Sequence, residues 1–185
     1  MMRSSRSISA FFTVTDMVTT QATGPDAQSR HLTINGTAVN LSVDGDTPLL
    51  SVLRERMDLK GSRIGCTEGY CGACTVLVDG KPVQSCNTPV WSVAGKTVTT
   101  IEGADRHPVL AGVQKVFVEL QAAQCGYCTN GIMMTLAGLL AQSPRPDRAH
   151  ILAHLDERHL CRCGVHVRVL KAIDRLLAQP EGASA

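Results

Sequence analysis

Aromatic side chains are scarce in this 185-residue chain: they make up 3 % of it, and Trp91 is the single tryptophan. A nucleic-acid binder would show stacking aromatics and a basic stripe. Here the lysines and arginines are scattered and the formal charge is +2. No apolar run approaches the roughly 18 residues of a membrane-spanning helix, so the sequence offers no transmembrane segment of its own. G-x-S-x-G, paired catalytic carboxylates and a dinucleotide fingerprint are all missing. Gly95-Lys96-Thr97 resembles the end of a phosphate-binding loop, but Val90 stands where that motif requires glycine, so it reads as a turn before a strand. His150 and His154 are four apart without the H-E-x-x-H context and read as a solvated helix face. The chain therefore lacks visible machinery for converting an organic substrate. Its 44 % hydrophobic content is enough for packed cores, and its length allows one or two domains.

What is abundant is cysteine. The eight cysteines fall into two sets of four: Cys66, Cys71, Cys74 and Cys86, spaced C-x4-C-x2-C-x11-C, and Cys125, Cys128, Cys161 and Cys163, spaced C-x2-C-x32-C-x-C. Six of them lie within three residues of another cysteine. Disulfides between such neighbours would close very short, strained loops. Thiolates from a tight loop can instead converge on a metal centre. Structural zinc usually takes two C-x2-C knuckles per site, which neither set has. The first set has the spacing of a plant-type 2Fe-2S centre, so iron–sulfur is the reading preferred over zinc. Its loop carries Gly65, Gly69 and Gly72, placed for positive-φ turns and for aiming backbone N–H groups at sulfur.

Residues 1–30 read as a disordered leader, or as sequence ahead of a translation start at Met17; the short apolar run from Ile8 to Val14 is a poor export signal. On this sequence alone the location is cytoplasmic, with a periplasmic or membrane-peripheral one available through co-exported partners. Leu32 and Ile34, the Asn35-Gly36 turn, and Val39, Leu41 and Val43 predict a hairpin. A helix follows, starting around Asp46-Thr47-Pro48 and lined by Leu49, Leu50, Leu53 and Met57. Thr75–Val78 and Pro82–Cys86 predict a second hairpin turned at Asp79-Gly80, and Thr97–Ile101 a last strand. This is a β-grasp, ferredoxin-like pattern over residues 31–105. From 106 to 180 the period is helical. Its four apolar faces centre on Val113 and Phe117, on Ile132 and Leu136, on Ile151 and Leu155, and on Ile173 and Leu176, which suggests a four-helix bundle. The fold class is thus α+β. Each domain has about 75 residues and would bury roughly 60 % of its unfolded surface, so a metal centre should staple it.

The segments Cys66-Thr67-Glu68-Gly69-Tyr70-Cys71-Gly72-Ala73-Cys74, Gln124-Cys125-Gly126-Tyr127-Cys128 and Leu160-Cys161-Arg162-Cys163-Gly164 closely resemble the small iron–sulfur subunit of the xanthine dehydrogenase (molybdenum hydroxylase) family. The resemblance covers about residues 30–178. It implies a 2Fe-2S cluster in each domain, with the C-terminal one (Cys125, Cys128, Cys161, Cys163) proximal to molybdenum and the N-terminal one (Cys66, Cys71, Cys74, Cys86) distal. It implies a large partner subunit carrying a molybdopterin dinucleotide cofactor, which hydroxylates an aldehyde or an N-heteroaromatic ring. It also implies an electron acceptor, either a cytochrome c subunit or an FAD subunit. Gln124 matches the family glutamine that contacts the pterin; otherwise it is an exposed helix-end residue. Arg162, between two ligands, either tunes the cluster or solvates the loop.

Two positions depart from the commonest family pattern: Asn130 replaces a proline, and Gly164-Val165-His166 replaces Thr-Gly-Tyr. Both resemble the bacterial nicotinate dehydrogenase-like, isoquinoline oxidoreductase-like and aldehyde dehydrogenase-like subgroup, several members of which pass electrons to cytochrome c without a flavin subunit. The alternative from another class is a free-standing two-cluster ferredoxin, against which the helical second domain argues. A colourless zinc protein is the third reading.

Overall fold

The computed structural model describes residues 28–179. Most of the leader expected over residues 1–30 lies outside the described residues. Its last three positions do not: β1 (Gln28–Ile34) pairs along its whole length with β2 (Thr37–Val43), Gln28 opposite Val43. The apolar alternation starts at Leu32, but ladder hydrogen bonds need no apolar side chains, so the strand begins earlier. Asn35 and Gly36 turn the hairpin with φ of 49° and 78°, the left-handed pair that matches strand twist.

The helix expected after Pro48 is short and irregular. α1 (Leu49–Ser51) runs directly into a π-helical turn, Val52–Arg56. Pro48 is its N-cap, and no side chain caps it. β3 (Thr75–Val78) and β4 (Lys81–Gln84) form the second hairpin, turned at Asp79 and Gly80. Cys86 is therefore not in the strand; it sits in a 3-10 turn, Ser85–Asn87. β5 (Thr97–Thr99) is parallel to β1 and antiparallel to β3, giving the sheet order β2-β1-β5-β3-β4. The last strand stops at Thr99, and Ile101–Arg106 is a 3-10 segment that leads into the helices.

Four helices follow: α2 (Pro108–Glu119), α3 (Thr129–Leu140), α4 (Arg148–Arg158) and α5 (His166–Leu177). His107 caps α2 through its ring nitrogen, and Pro108 occupies the first turn, where a missing N–H costs nothing. The Asp147 carboxylate accepts from His150 N–H at 2.8 Å and caps α4. Among the described residues no helix is long and apolar enough to cross a membrane.

Two hydrophobic cores result. One joins Leu32, Ile34, Leu53, Val76 and Val98 in the sheet half; the other joins Leu110, Met134, Leu136, Ile151 and Ile173 among the helices. They meet along β3, whose four residues are all buried. Val76 and Val78 point into the first core and Leu77 into the second, as strand alternation requires of a strand covered on both faces. The covering element is α3. Its residues are buried on every side except at Asn130, which explains its nearly continuous apolar sequence. Close approach depends on glycine: a Cβ on Gly138 would stand 2.8 Å from Leu77 and Pro82 side-chain atoms. Asn130 Nδ2 donates to Gly61 O at 2.9 Å, and the Tyr127 hydroxyl donates to Ile64 O, so the start of α3 is bonded to the sheet half as well.

Candidate metal centres

All eight cysteines are free thiols. The segment from Gly65 to Cys74 folds around the Cys66 sulfur. Cys66 Sγ accepts backbone N–H groups from Glu68 at 3.4 Å, Tyr70 at 3.3 Å and Cys71 at 3.3 Å, and Cys71 Sγ accepts from Cys66 N–H at 3.3 Å. This wrapping needs left-handed backbone at Gly69 and Gly72 (φ of 82° and 67°), and also at Thr67 (φ 62°). Gly65 plays a different part from the one expected. A Cβ there would lie 2.4 Å from Cys71 Sγ, so its role is space for the sulfur. Across the loop, the Cys86 sulfur lies against Cys74 and faces the Gly69 N–H.

The second set is assembled from two helix connections. Cys125 and Cys128 lie between α2 and α3, with Cys128 as the N-cap of α3; Cys161 and Cys163 lie between α4 and α5. Cys161 Sγ and Cys163 Sγ are 3.6 Å apart. Cys128 neighbours Cys161, then Cys163 and Cys125, and the Cys163 sulfur receives the N–H groups of Cys125 and Val165. Each expected set of four is therefore brought together, and no cysteine of one set sits in the other.

The electrostatics suit bound cations. Burial pushes the Cys66 thiol up, but the N–H groups of Cys71, Glu68 and Tyr70 outweigh it and bring it down to about 6. The Cys125 N–H is the main cause that lowers Cys163, to about 7. Cys86 and Cys128 are pushed up to about 12, first by burial and then by the neighbouring sulfurs, which disfavour a second thiolate alongside the first. Positive iron would relieve that repulsion. A single tetrahedral ion needs its thiolates about 2.3 Å from one point. Among the described residues no three His, Cys, Asp or Glu side chains form such a site. The C-x4-C-x2-C spacing of the first set is that of a plant-type 2Fe-2S centre.

Gln124 is exposed immediately before the exposed Cys125, and Arg162 is exposed between Cys161 and Cys163. His150 is exposed on α4 and His154 half-buried. Burial holds the His154 imidazole below its ordinary range, helped by the charges of Arg158 and His150.

Three features had no sequence signal. The Leu160 N–H donates to the Cys71 carbonyl at 3.1 Å, so the two cysteine loops are hydrogen-bonded to each other. Gly72 packs on the chain at Arg158 and His159. His159 bonds Thr135 Oγ1 through Nε2 at 2.8 Å, and burial pushes its imidazole down to about 4.

Comparison with known proteins agrees with this arrangement. Residues 32–99 match the family described as "2Fe-2S iron-sulfur cluster binding domain", and residues 100–174 match "[2Fe-2S] binding domain". The chain is 45 % identical to a nicotinate dehydrogenase subunit of Pseudomonas putida over 144 residues, covering 78 % of this chain and 91 % of that one. It is 44 % identical to the alpha subunit of isoquinoline 1-oxidoreductase of Brevundimonas diminuta over 146 residues, covering 77 % and 93 %. Among solved structures, it superposes on quinoline 2-oxidoreductase from Pseudomonas putida 86 with a TM-score of 0.71 and 34 % identity, covering 80 % of this chain and 91 % of that one.

Proposed function

The chain belongs to the small iron–sulfur subunits of the xanthine dehydrogenase (molybdenum hydroxylase) family, and from that premise we propose that it carries electrons from a molybdenum centre on a large partner subunit to a separate acceptor. Each 2Fe-2S cluster, when bound, accepts and releases one electron at a time. Cys66, Cys71, Cys74 and Cys86 would hold the distal cluster within residues 31–105. Cys125, Cys128, Cys161 and Cys163 would hold the proximal one within residues 106–180, a four-helix bundle beside a β-grasp domain.

The single observation that carries this reading is the 3.1 Å hydrogen bond from Leu160 N–H to Cys71 O. Cys71 belongs to one set, and Leu160 precedes Cys161 of the other. A continuous path of covalent bonds and one hydrogen bond therefore joins the two sites. Two isolated structural metals would have no need of it. Backbone N–H groups aimed at Cys66 and Cys163 stabilise negative charge on sulfur and so set the potential of each site. Exposure of Cys125 and Gln124 supports a role for this edge in facing the partner, with Gln124 contacting the molybdopterin dinucleotide.

The substrate site lies on the partner. Relatives named for nicotinate and isoquinoline favour an N-heteroaromatic substrate, and an aldehyde is the second class. The acceptor is a cytochrome c or an FAD subunit. Isolating the complex by a tag on this chain tests the proposal: a large molybdenum-containing subunit should co-purify, and reducing equivalents from its substrate should bleach the visible bands of this chain. Bleaching only by an added reductase, with no large subunit, would favour a free-standing ferredoxin.

A further inference from the structure

Leu160 supplies the N–H that links the two cysteine sites, yet its own side chain is 69 % exposed and cannot hold its backbone by packing. The residue before it can. His159 N–H donates to Leu155 O at 2.9 Å and closes α4. Its backbone is extended, with φ of −136° and ψ of 131°, which turns the next N–H away from the helix and toward Cys71. Its ring is fixed on two sides. Nε2 meets Thr135 Oγ1 at 2.8 Å, and Thr135 is 1 % exposed in the middle of α3. The opposite ring edge lies on Gly72, where a Cβ would stand 2.2 Å from Nδ1 and 2.5 Å from Cε1. Gly72 directly follows Cys71. The imidazole therefore occupies the place where a side chain of the first cysteine loop would otherwise be.

Nδ1 is sealed from solvent without a hydrogen-bond partner. An unpaired buried polar atom is unfavourable, and an apolar side chain would fill the same space without that cost. Packing alone does not explain a histidine here. What an aliphatic residue could not provide is the bond to Thr135, which ties the end of α4 to α3 beside Gly72.

We propose that His159 is the positioning residue of the inter-site bridge: its ring, tied to Thr135 and seated on Gly72, keeps the Leu160 N–H on the Cys71 carbonyl and so sets the electronic coupling between the two clusters. The coupling role rests on the cluster assignment above; the geometric role does not. His159 need not touch a cluster to act in this way. It acts through the backbone of its neighbour.

Hydrogen exchange read by mass spectrometry on the full, cluster-loaded chain tests the geometry, and EPR of the reduced chain tests the coupling. In His159→Ala the Leu160 amide should exchange about tenfold faster, the change expected when one hydrogen bond loses its support. The spin–spin interaction between the two centres should weaken, while each centre keeps its own g-values and reduction potential. Thr135→Val should act in the same direction with a nearly isosteric side chain. Thr135→Ser and His159→Gln, which keep a bonded pair, should behave like the parent. Unchanged exchange at Leu160 in both His159→Ala and Thr135→Val would overturn the proposal. A shifted potential with unchanged spin coupling would overturn it too, since His159 would then be tuning a cluster. A parent chain without two 2Fe-2S signals would instead overturn the cluster assignment, and with it the coupling role.

Discussion

Gly131 of α3 lies on the backbone carbonyl of Gly72, so close that a Cβ added to Gly131 would stand 2.0 Å from that oxygen. The central helix of one half is thus seated on the cysteine loop of the other. The approach of α3 also bonds Thr135 to His159, which lies on Gly72 next to Cys71.

Gly131→Ala should destabilise the folded chain. A helix interior normally gains up to about 1 kcal/mol from such a change. Here the methyl group has no space, and overpacking typically costs about 1–3 kcal/mol. The clash is with backbone, so a side-chain rotation cannot relieve it. Denaturant unfolding should show a lower midpoint with an unchanged slope. A more stable variant would show that α3 stands off from Gly72.

Cys161→Ser should remove the second centre and leave the first, and Cys71→Ser should do the reverse. Each variant should lose about half of the iron of the parent chain, because each set has four thiolates and none to spare. Unimpaired electron delivery by Cys161→Ser would contradict the relay.

Iron removal should destabilise both halves together, so that the iron-free chain unfolds in one transition at lower temperature. β3 gives Val76 to one core and Leu77 to the other, and α3 closes over both the strand and the Gly72 loop. Metal-binding free energy in such small units is folding free energy. A loss of several kcal/mol corresponds to a fall in Tm of about 10 °C or more for a chain of this size. Circular dichroism of the chelated chain checks this; a well-folded iron-free form with two separate transitions would count against it.

Much of the site is legible in the sequence, for a physical reason. Cysteine spacing fixes how far apart thiolates can be along a loop, and the Asn35-Gly36 and Asp79-Gly80 turns announce their left-handed geometry. Helical periodicity places α2 to α5. The differences have causes too. The apolar spacing after Pro48 predicts a regular helix, but a π-helical turn has no periodic signal of its own. Cys86 continues the strand pattern of Pro82-Val83 yet leaves the sheet at Ser85, whose buried hydroxyl donates to Cys74 O at 2.7 Å. The contacts between Gly72, Gly131, His159 and Leu160 join distant parts of the chain, and spacing within one segment carries no information about them.

The measurement that bears most directly on the central claim is EPR of the full chain, reduced as purified, together with its iron and acid-labile sulfide content. Two distinct 2Fe-2S signals are expected, one lost in Cys71→Ser and the other in Cys161→Ser. A colourless zinc-loaded chain, or a single signal that both substitutions abolish, would contradict that claim.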